Sequence, residues 1–188
     1  MCGIALSVWA LWNILGESRA VPETPTSAPP NAVTTETVDA TRSLGPAPVA
    51  YPATPKTGDI FGKLTIPRLK QTFPLVQGTG DKELKRGVGH MTRTVMPGEV
   101  GNCVISGHRD TVFSELGKVK MGDRLIVETA GGLFTYKVTR IRIVDKEDRT
   151  VVVPTEDSVL TVSTCYPFRY VGSAPDRYVL VADLVAPE

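Results

Sequence analysis

Apolar residues run almost unbroken over the first sixteen positions, with Ser7 and Asn13 the only polar interruptions. Residues 17–57 then lose bulky apolar side chains in favour of Pro, Ala, Thr, Val and Ser. From residue 58 the texture changes again, to short runs rich in β-branched residues. Residues 60–66 alternate weakly, 100–108 form an apolar run bounded by glycine, and further runs fall at 124–129, 133–144, 150–153, 159–164 and 178–184. Turn signals separate them: Gly122-Asp123, Ala130-Gly131-Gly132, residues 145–148 and residues 172–175. About seven or eight strands at this spacing predict an all-β sandwich or closed barrel. Two short helical signals interrupt them, one over 79–86 with Asp81 as N-cap and one over 110–116 capped by Asp110 or Thr111. No internal repeat is visible.

The N-terminal run is shorter than the roughly 20 residues a spanning helix needs. No basic cluster precedes it and no small-residue cleavage site follows, which argues against a cleaved signal peptide. Trp9 and Trp12 suit a membrane interface, and Arg19 lies just beyond. The run is therefore read as a membrane anchor whose beginning lies outside this sequence, in preference to an amphipathic core helix. Eight of the fifteen prolines fall in residues 17–57, a composition that cannot offset its own ordering entropy and predicts an extended spacer. The expected plan is an anchor (1–16), a Pro-rich linker (17–57) and a single folded domain (58–188).

Composition narrows the function classes. At 188 residues there is room for one domain with a substantial core, and 41% hydrophobic with 22% charged residues is ordinary for a globular chain. The 21 basic and 20 acidic residues leave a net charge of +1 with no basic block, so nothing marks a nucleic-acid partner. The three cysteines, Cys2, Cys103 and Cys165, cannot all pair and match no metal-knuckle spacing, so at least one thiol is free.

Cys165 closes the run Leu160-Thr-Val-Ser-Thr-Cys165 just before Tyr166 and Pro167, where a rigid strand hands over to a loop. A thiol needs a neighbouring base or cation to act as a nucleophile. The chain has only two histidines, His90 and His108, and His108 also ends an apolar run. Arg177 opens the last strand, and its fixed fork of donors suits an oxyanion or a carbonyl. By residue type alone, a buried small cysteine and a hydrogen-bonded histidine explain the pattern better than catalysis does, since one Cys, one His and one Arg on strand ends arise by chance in many barrels.

The wording around these residues adds to them. Gly87-Val-Gly-His-Met91, Met96-Pro-Gly-Glu-Val-Gly-Asn102, Ser106-Gly-His-Arg-Asp-Thr-Val-Phe113, Leu116-Gly-Lys-Val-Lys-Met-Gly-Asp123, Thr161-Val-Ser-Thr-Cys-Tyr-Pro-Phe168 and Tyr170-Val-Gly-Ser-Ala-Pro-Asp-Arg-Tyr178 closely resemble a bacterial sortase, most of all class D. The resemblance runs in order from about residue 58 to 184. It implies an eight-stranded sortase-type β-barrel on the outer face of the cytoplasmic membrane, held by a single-pass anchor and acting as a cysteine transpeptidase without a cofactor. By motif, Cys165 corresponds to the nucleophile, His108 to the histidine of Ser-Gly-His and Arg177 to the arginine before the final strand. Thr164 corresponds to the family threonine, expected to contact the acyl group or oxyanion, and the Tyr166 backbone N–H is a candidate second donor. Val162 departs from the leucine usual in the signature, an apolar exchange that leaves the thiol in place.

The partners implied are secreted proteins with a C-terminal LPxT-like signal, and an amine acceptor from cell-wall precursor or a pilin lysine. In the family the reactive form is thought to be a minor thiolate–imidazolium pair. Cys103 reads as core and His90 as structural. No ligand pair has zinc spacing, and neither Asp59, Asp123 nor residues 145–148 match a calcium loop. The rival reading from another class is a membrane-tethered barrel that binds peptide tails without cleaving them. An L,D-transpeptidase would want a Ser-x-Gly-Cys-x-Arg run, which is absent.

Overall fold

The computed structural model describes residues 49–185. The strands are β1 (Ile60–Ile66), β2 (Gln71–Gln77), β3 (Val88–His90), β4 (Gly101–Ser106), β5 (Arg124–Thr129), β6 (Gly132–Asp145), β7 (Ser158–Tyr166) and β8 (Asp176–Leu184). They close into a barrel in the order β1-β2-β3-β4-β7-β8-β6-β5. Closure leaves no sheet edge unpaired. Most neighbours are antiparallel, but β2 pairs with β3, and β4 with β7, in parallel. A parallel pair needs a crossover. For β4 and β7 it is the whole β5–β6 excursion, so the ends of two strands far apart in sequence emerge at the same end of the barrel.

Period-two alternation packs Leu64, Ile66, Leu75, Ile105, Leu125, Val127, Tyr136, Leu160, Val162 and Leu180 inside, all fully buried. Phe113, carried on the loop after β4, plugs into the same core and meets Phe73 edge to face at 5.9 Å.

Several local readings need correction. The β-branched run at 150–153 is not a strand. It lies in the loop between β6 and β7, and two of its valines, Val152 and Val153, are about half exposed. Strand β2 escaped notice because Pro74 sits inside it, and β3 because three residues carry no period. The helix expected over 79–86 shrinks to α1 (Asp81–Leu84), with Gly80 rather than Asp81 at the N-cap. The helix expected over 110–116 is a run of turns followed by a 3-10 turn at Leu116–Lys118. Burial of Phe113 outweighs local helix preference there.

The chain is packed on the barrel before residue 58. Val49 lies against the core, and the Tyr51 hydroxyl donates to the Pro97 carbonyl at 2.7 Å. Residues 1–16, read as an anchor, lie outside the described residues. Among the described residues no helix is long and apolar enough to cross a membrane.

Candidate active site

Two parallel neighbours build the site. In the β4–β7 ladder Ser106 faces Ser163, and two positions further along each chain come His108 and Cys165. Gly107 carries the register past the last strand pair. Its N–H donates to Ser163 O at 3.2 Å and its carbonyl accepts from Thr164 Oγ1 at 2.7 Å. Glycine is required at this point because a Cβ would sit 2.6 Å from the Phe113 ring. The Phe113 N–H in turn donates to the His108 carbonyl at 3.0 Å, so the chain turns sharply after His108 and drops Phe113 into the core.

Alternation decides which face each side chain takes. Leu160 and Val162 belong to the core, which sends Thr164 inward and Cys165 outward. On β8 the core residues Tyr178, Leu180 and Ala182 likewise send Arg177 outward. Antiparallel register sets Cys165 directly opposite Arg177 and Thr164 opposite Tyr178. Such opposed pairs have Cβ atoms about 4.5–5.5 Å apart. Cys165, His108 and Arg177 are all part-buried at this end of the barrel, neither sealed in the core nor freely solvated.

Arg177 Nη1 donates to the carbonyl of Asp176 at 2.9 Å and, at 3.4 Å, to that of Ala174. These are weak neutral acceptors on its own loop, which a stronger acceptor can replace.

The Thr164 side chain and the Tyr166 ring both turn inward. Thr164 is buried, and its hydroxyl is committed to Gly107. The Tyr166 ring turns to the inside of the barrel mouth, stacked on Tyr178 at 6.2 Å and edge-on to Phe168 at 5.6 Å. With Phe168, Tyr178 and Ile143 it lines an open cavity of about 420 Å³ on the far side of β7 from the thiol. Burial, and then the neighbouring Tyr166, push the Tyr178 phenol pKa up.

The other two nitrogen and sulfur candidates are structural. The Cys103 thiol is in the core, where burial, and then Glu99, raise its pKa far above the ordinary thiol value, so it stays protonated and inert. His90 is buried with Nδ1 2.7 Å from Gln77 Oε1 and Nε2 2.9 Å from Val95 O. Burial lowers its pKa, keeping the ring neutral. Among the described residues no group of His, Cys, Asp and Glu is arranged to hold a metal ion.

One structural contact beside the site had no local cue as such. Asn102 lies on the outward face of β4, and its amide donates to Val151 O and Val153 O, both at 3.1 Å, while its oxygen accepts from Thr161 Oγ1 at 2.7 Å. It pins the β6–β7 loop across the outward face below Cys165. What the sequence shows is an amide side chain inside the apolar run that ends at His108.

The class defined by this geometry is a closed β-barrel with a cysteine near the end of one strand, an arginine opposite it on the antiparallel neighbour and a histidine just past the end of the parallel neighbour. The chain belongs to the sortase family, whose Sortase domain model matches residues 64–185. It is 43% identical over 127 residues to Sortase D of Bacillus subtilis (strain 168), a match covering 67% of this chain and 64% of that protein. With Sortase SrtE1 of Streptomyces coelicolor it shares 33% over 135 residues, covering 62% of this chain and 38% of that one. The chain thus spans less than two thirds of the length of these two relatives. Among solved structures, sortase C1 of Streptococcus agalactiae superposes with a TM-score of 0.65 at 30% identity, covering 72% of each chain. A Clostridium perfringens Sortase D5 transpeptidase gives 0.64 at 28%, covering 70% of this chain and 82% of that one.

Proposed function

We propose that the chain is a cysteine transpeptidase that cleaves an LPxT-like sorting signal and joins the released acyl group to an amine. The observation that carries this reading is the register of β7 and β8, which sets Arg177 opposite Cys165, with His108 two residues past the last β4–β7 pair on the neighbouring chain. A module that only binds peptide tails has no need of that set.

In the proposed reaction the Cys165 thiolate attacks the carbonyl after the signal's threonine. The carbonyl π electrons move to oxygen, and Arg177, with the Tyr166 backbone N–H, donates to that oxyanion. As the oxyanion collapses the C–N bond breaks, and the His108 imidazolium gives its proton to the departing amine. The product is a thioester on Cys165. An acceptor amine then attacks it, losing a proton to the neutral His108, and the C–S bond breaks to return the thiolate. Water is the slow competitor. The inward hydroxyl of Thr164 supports a positioning role on Gly107 rather than contact with the acyl group.

The same reading makes residues 1–16 a membrane anchor, 17–57 a spacer and 58–188 the catalytic domain on the extracytoplasmic side. Its substrates would be secreted proteins carrying the signal, and its acceptor a cell-wall precursor or a pilin lysine. A library of quenched fluorescent pentapeptides tests it. Wild type is expected to cleave a subset of LPxT-like members. Cys165→Ala should cleave none and Cys103→Ala should retain most of the rate. Equal loss from both variants, with Cys103→Ala still folded, would overturn the assignment of the nucleophile.

A further inference from the structure

His108 is the one member of the site carried on a loop rather than a strand. The residue before it, Gly107, is tied to β7 by two hydrogen bonds, and its own carbonyl is held by the Phe113 N–H. The residue after it is held by a third element. Arg109 Nη2 donates to the Tyr170 carbonyl at 2.8 Å and to the Gly172 carbonyl at 3.1 Å, and its guanidinium carbon lies 5.8 Å from the Tyr170 ring centroid. One side chain therefore makes two carbonyl bonds and one cation–π contact to the same loop, residues 167–175, which links Cys165 to Arg177.

That loop is anchored at its ends by other means. Phe168 packs on Tyr166 and Tyr178, Ala174 is buried, and the Pro175 carbonyl accepts from the Lys146 N–H at 2.9 Å. Its middle is exposed, with Val171 wholly so. The Arg109 bonds are what join this middle to the rest of the barrel.

We infer that Arg109 is a positioning residue: by clasping the β7–β8 loop it fixes His108 relative to Cys165. The inference rests on the proposed catalytic reading of His108 and Cys165. Both carbonyls are bound by one nitrogen, Nη2, while the planar guanidinium lies near the Tyr170 ring. Lysine has donors enough for the carbonyls but no planar group to lie against the ring.

The test uses the full chain and its Arg109→Ala, Arg109→Lys and His108→Ala variants, with three measurements. Trypsin cleavage after Arg169 reports on the loop, iodoacetamide alkylation of Cys165 read by mass spectrometry reports on the thiol's surroundings, and kcat and KM are measured on a cleaved peptide. Arg109→Ala is expected to speed loop cleavage about tenfold and lower kcat about tenfold, while KM moves less than about threefold and the melting temperature holds. Its alkylation rate should shift in the same direction as that of His108→Ala, and Arg109→Lys should recover less than half of the kcat loss.

Faster loop cleavage with wild-type alkylation and kcat would reduce Arg109 to a loop staple and overturn the inference. Unchanged loop cleavage would overturn the clasp itself. If wild type cleaves no peptide, the transpeptidase reading fails separately, and alkylation still decides whether Arg109 positions His108. Alkylation that is the same in wild type and His108→Ala would mean there is no coupling to position, and would also overturn it.

Discussion

The Thr164 hydroxyl donates to the Gly107 carbonyl at 2.7 Å inside the barrel, so the residue before Cys165 is bonded to the residue before His108. These two residues are 57 positions apart in sequence. Their bond, with the Gly107 N–H to Ser163 O, extends the β4–β7 ladder just as the strands end. Cys165 and His108 come one step further on along the two chains. The inward threonine thus ties together the two backbones that carry them.

Removing that hydroxyl should therefore cost both stability and turnover. Thr164→Val keeps the shape but leaves a buried carbonyl without its donor, a loss of about 1–3 kcal/mol. A fall in melting temperature of several degrees and in kcat of about tenfold is expected, with Thr164→Ser within about threefold of wild type. Thr164→Val at wild-type turnover would mean that the ladder holds its spacing without this bond.

Much of the candidate site was legible because it is written in local words. Cys165, His108 and Arg177 each end or open an apolar run, and the period of two assigns the faces of Cys165 and Arg177 once the strands are placed. What could not be read was pairing at long range. Nothing local says that β4 lies parallel to β7, and so nothing distinguished Thr164 as an inward residue from a substrate contact. The valines at 150–153 look like a strand by composition, yet their carbonyls are taken by Asn102 from another strand. Short β3 and Pro-containing β2 exist because neighbours on either side complete their hydrogen bonds, a tertiary cause with no sequence period.

Buried His90 gives the barrel an acid-side weakness. Its folded pKa lies below the ordinary value of 6.5, so the unfolded chain takes up the proton first as pH falls. The contribution is complete above about pH 6.5 and is lost progressively below it. Thermal melts from about pH 7.5 to about 5 should show wild type losing stability faster than His90→Gln over the acidic part. Parallel pH profiles for the two proteins would assign the acid sensitivity to other groups.

Arg177 has two rival uses, a surface charge beside Asp176 or a directed donor facing Cys165. The observed bonds go to carbonyls, and the register puts the side chain opposite the thiol. A surface pair contributes about 0–1 kcal/mol, whereas an oxyanion donor in a sheltered site contributes about 3–4 kcal/mol to the barrier. Arg177→Lys keeps charge without the fork, so a loss of about a hundred- to a thousandfold in kcat/KM is expected with the melting temperature nearly unchanged. Retention of more than about a third of wild-type kcat/KM would rule out the directed-donor role.

The start of the domain is the remaining question that a stability measurement can answer. Composition puts the boundary at residue 58, since the preceding segment is poor in bulky apolar groups. Tyr51 nevertheless donates its hydroxyl to Pro97 O at 2.7 Å and accepts from Thr129 Oγ1 at 3.1 Å. Burial pushes its phenol pKa up to about 12. Its ring lies so close to the β5–β6 turn that a Cβ on Gly131 would fall 2.7 Å from it. Deleting residues 1–48 should leave the barrel's stability intact, because none of these contacts is removed. Deleting residues 1–56 should still give a folded protein but lower its stability by about 1–3 kcal/mol, a drop of roughly 3–10 °C in melting temperature. Tyr51→Phe in the longer form should reproduce part of that loss, and Gly131→Ala most of it by displacing the ring. If the two truncations melt within about 1 °C of each other, Tyr51 rests on the barrel without stabilising it, and the domain begins where composition alone had put it.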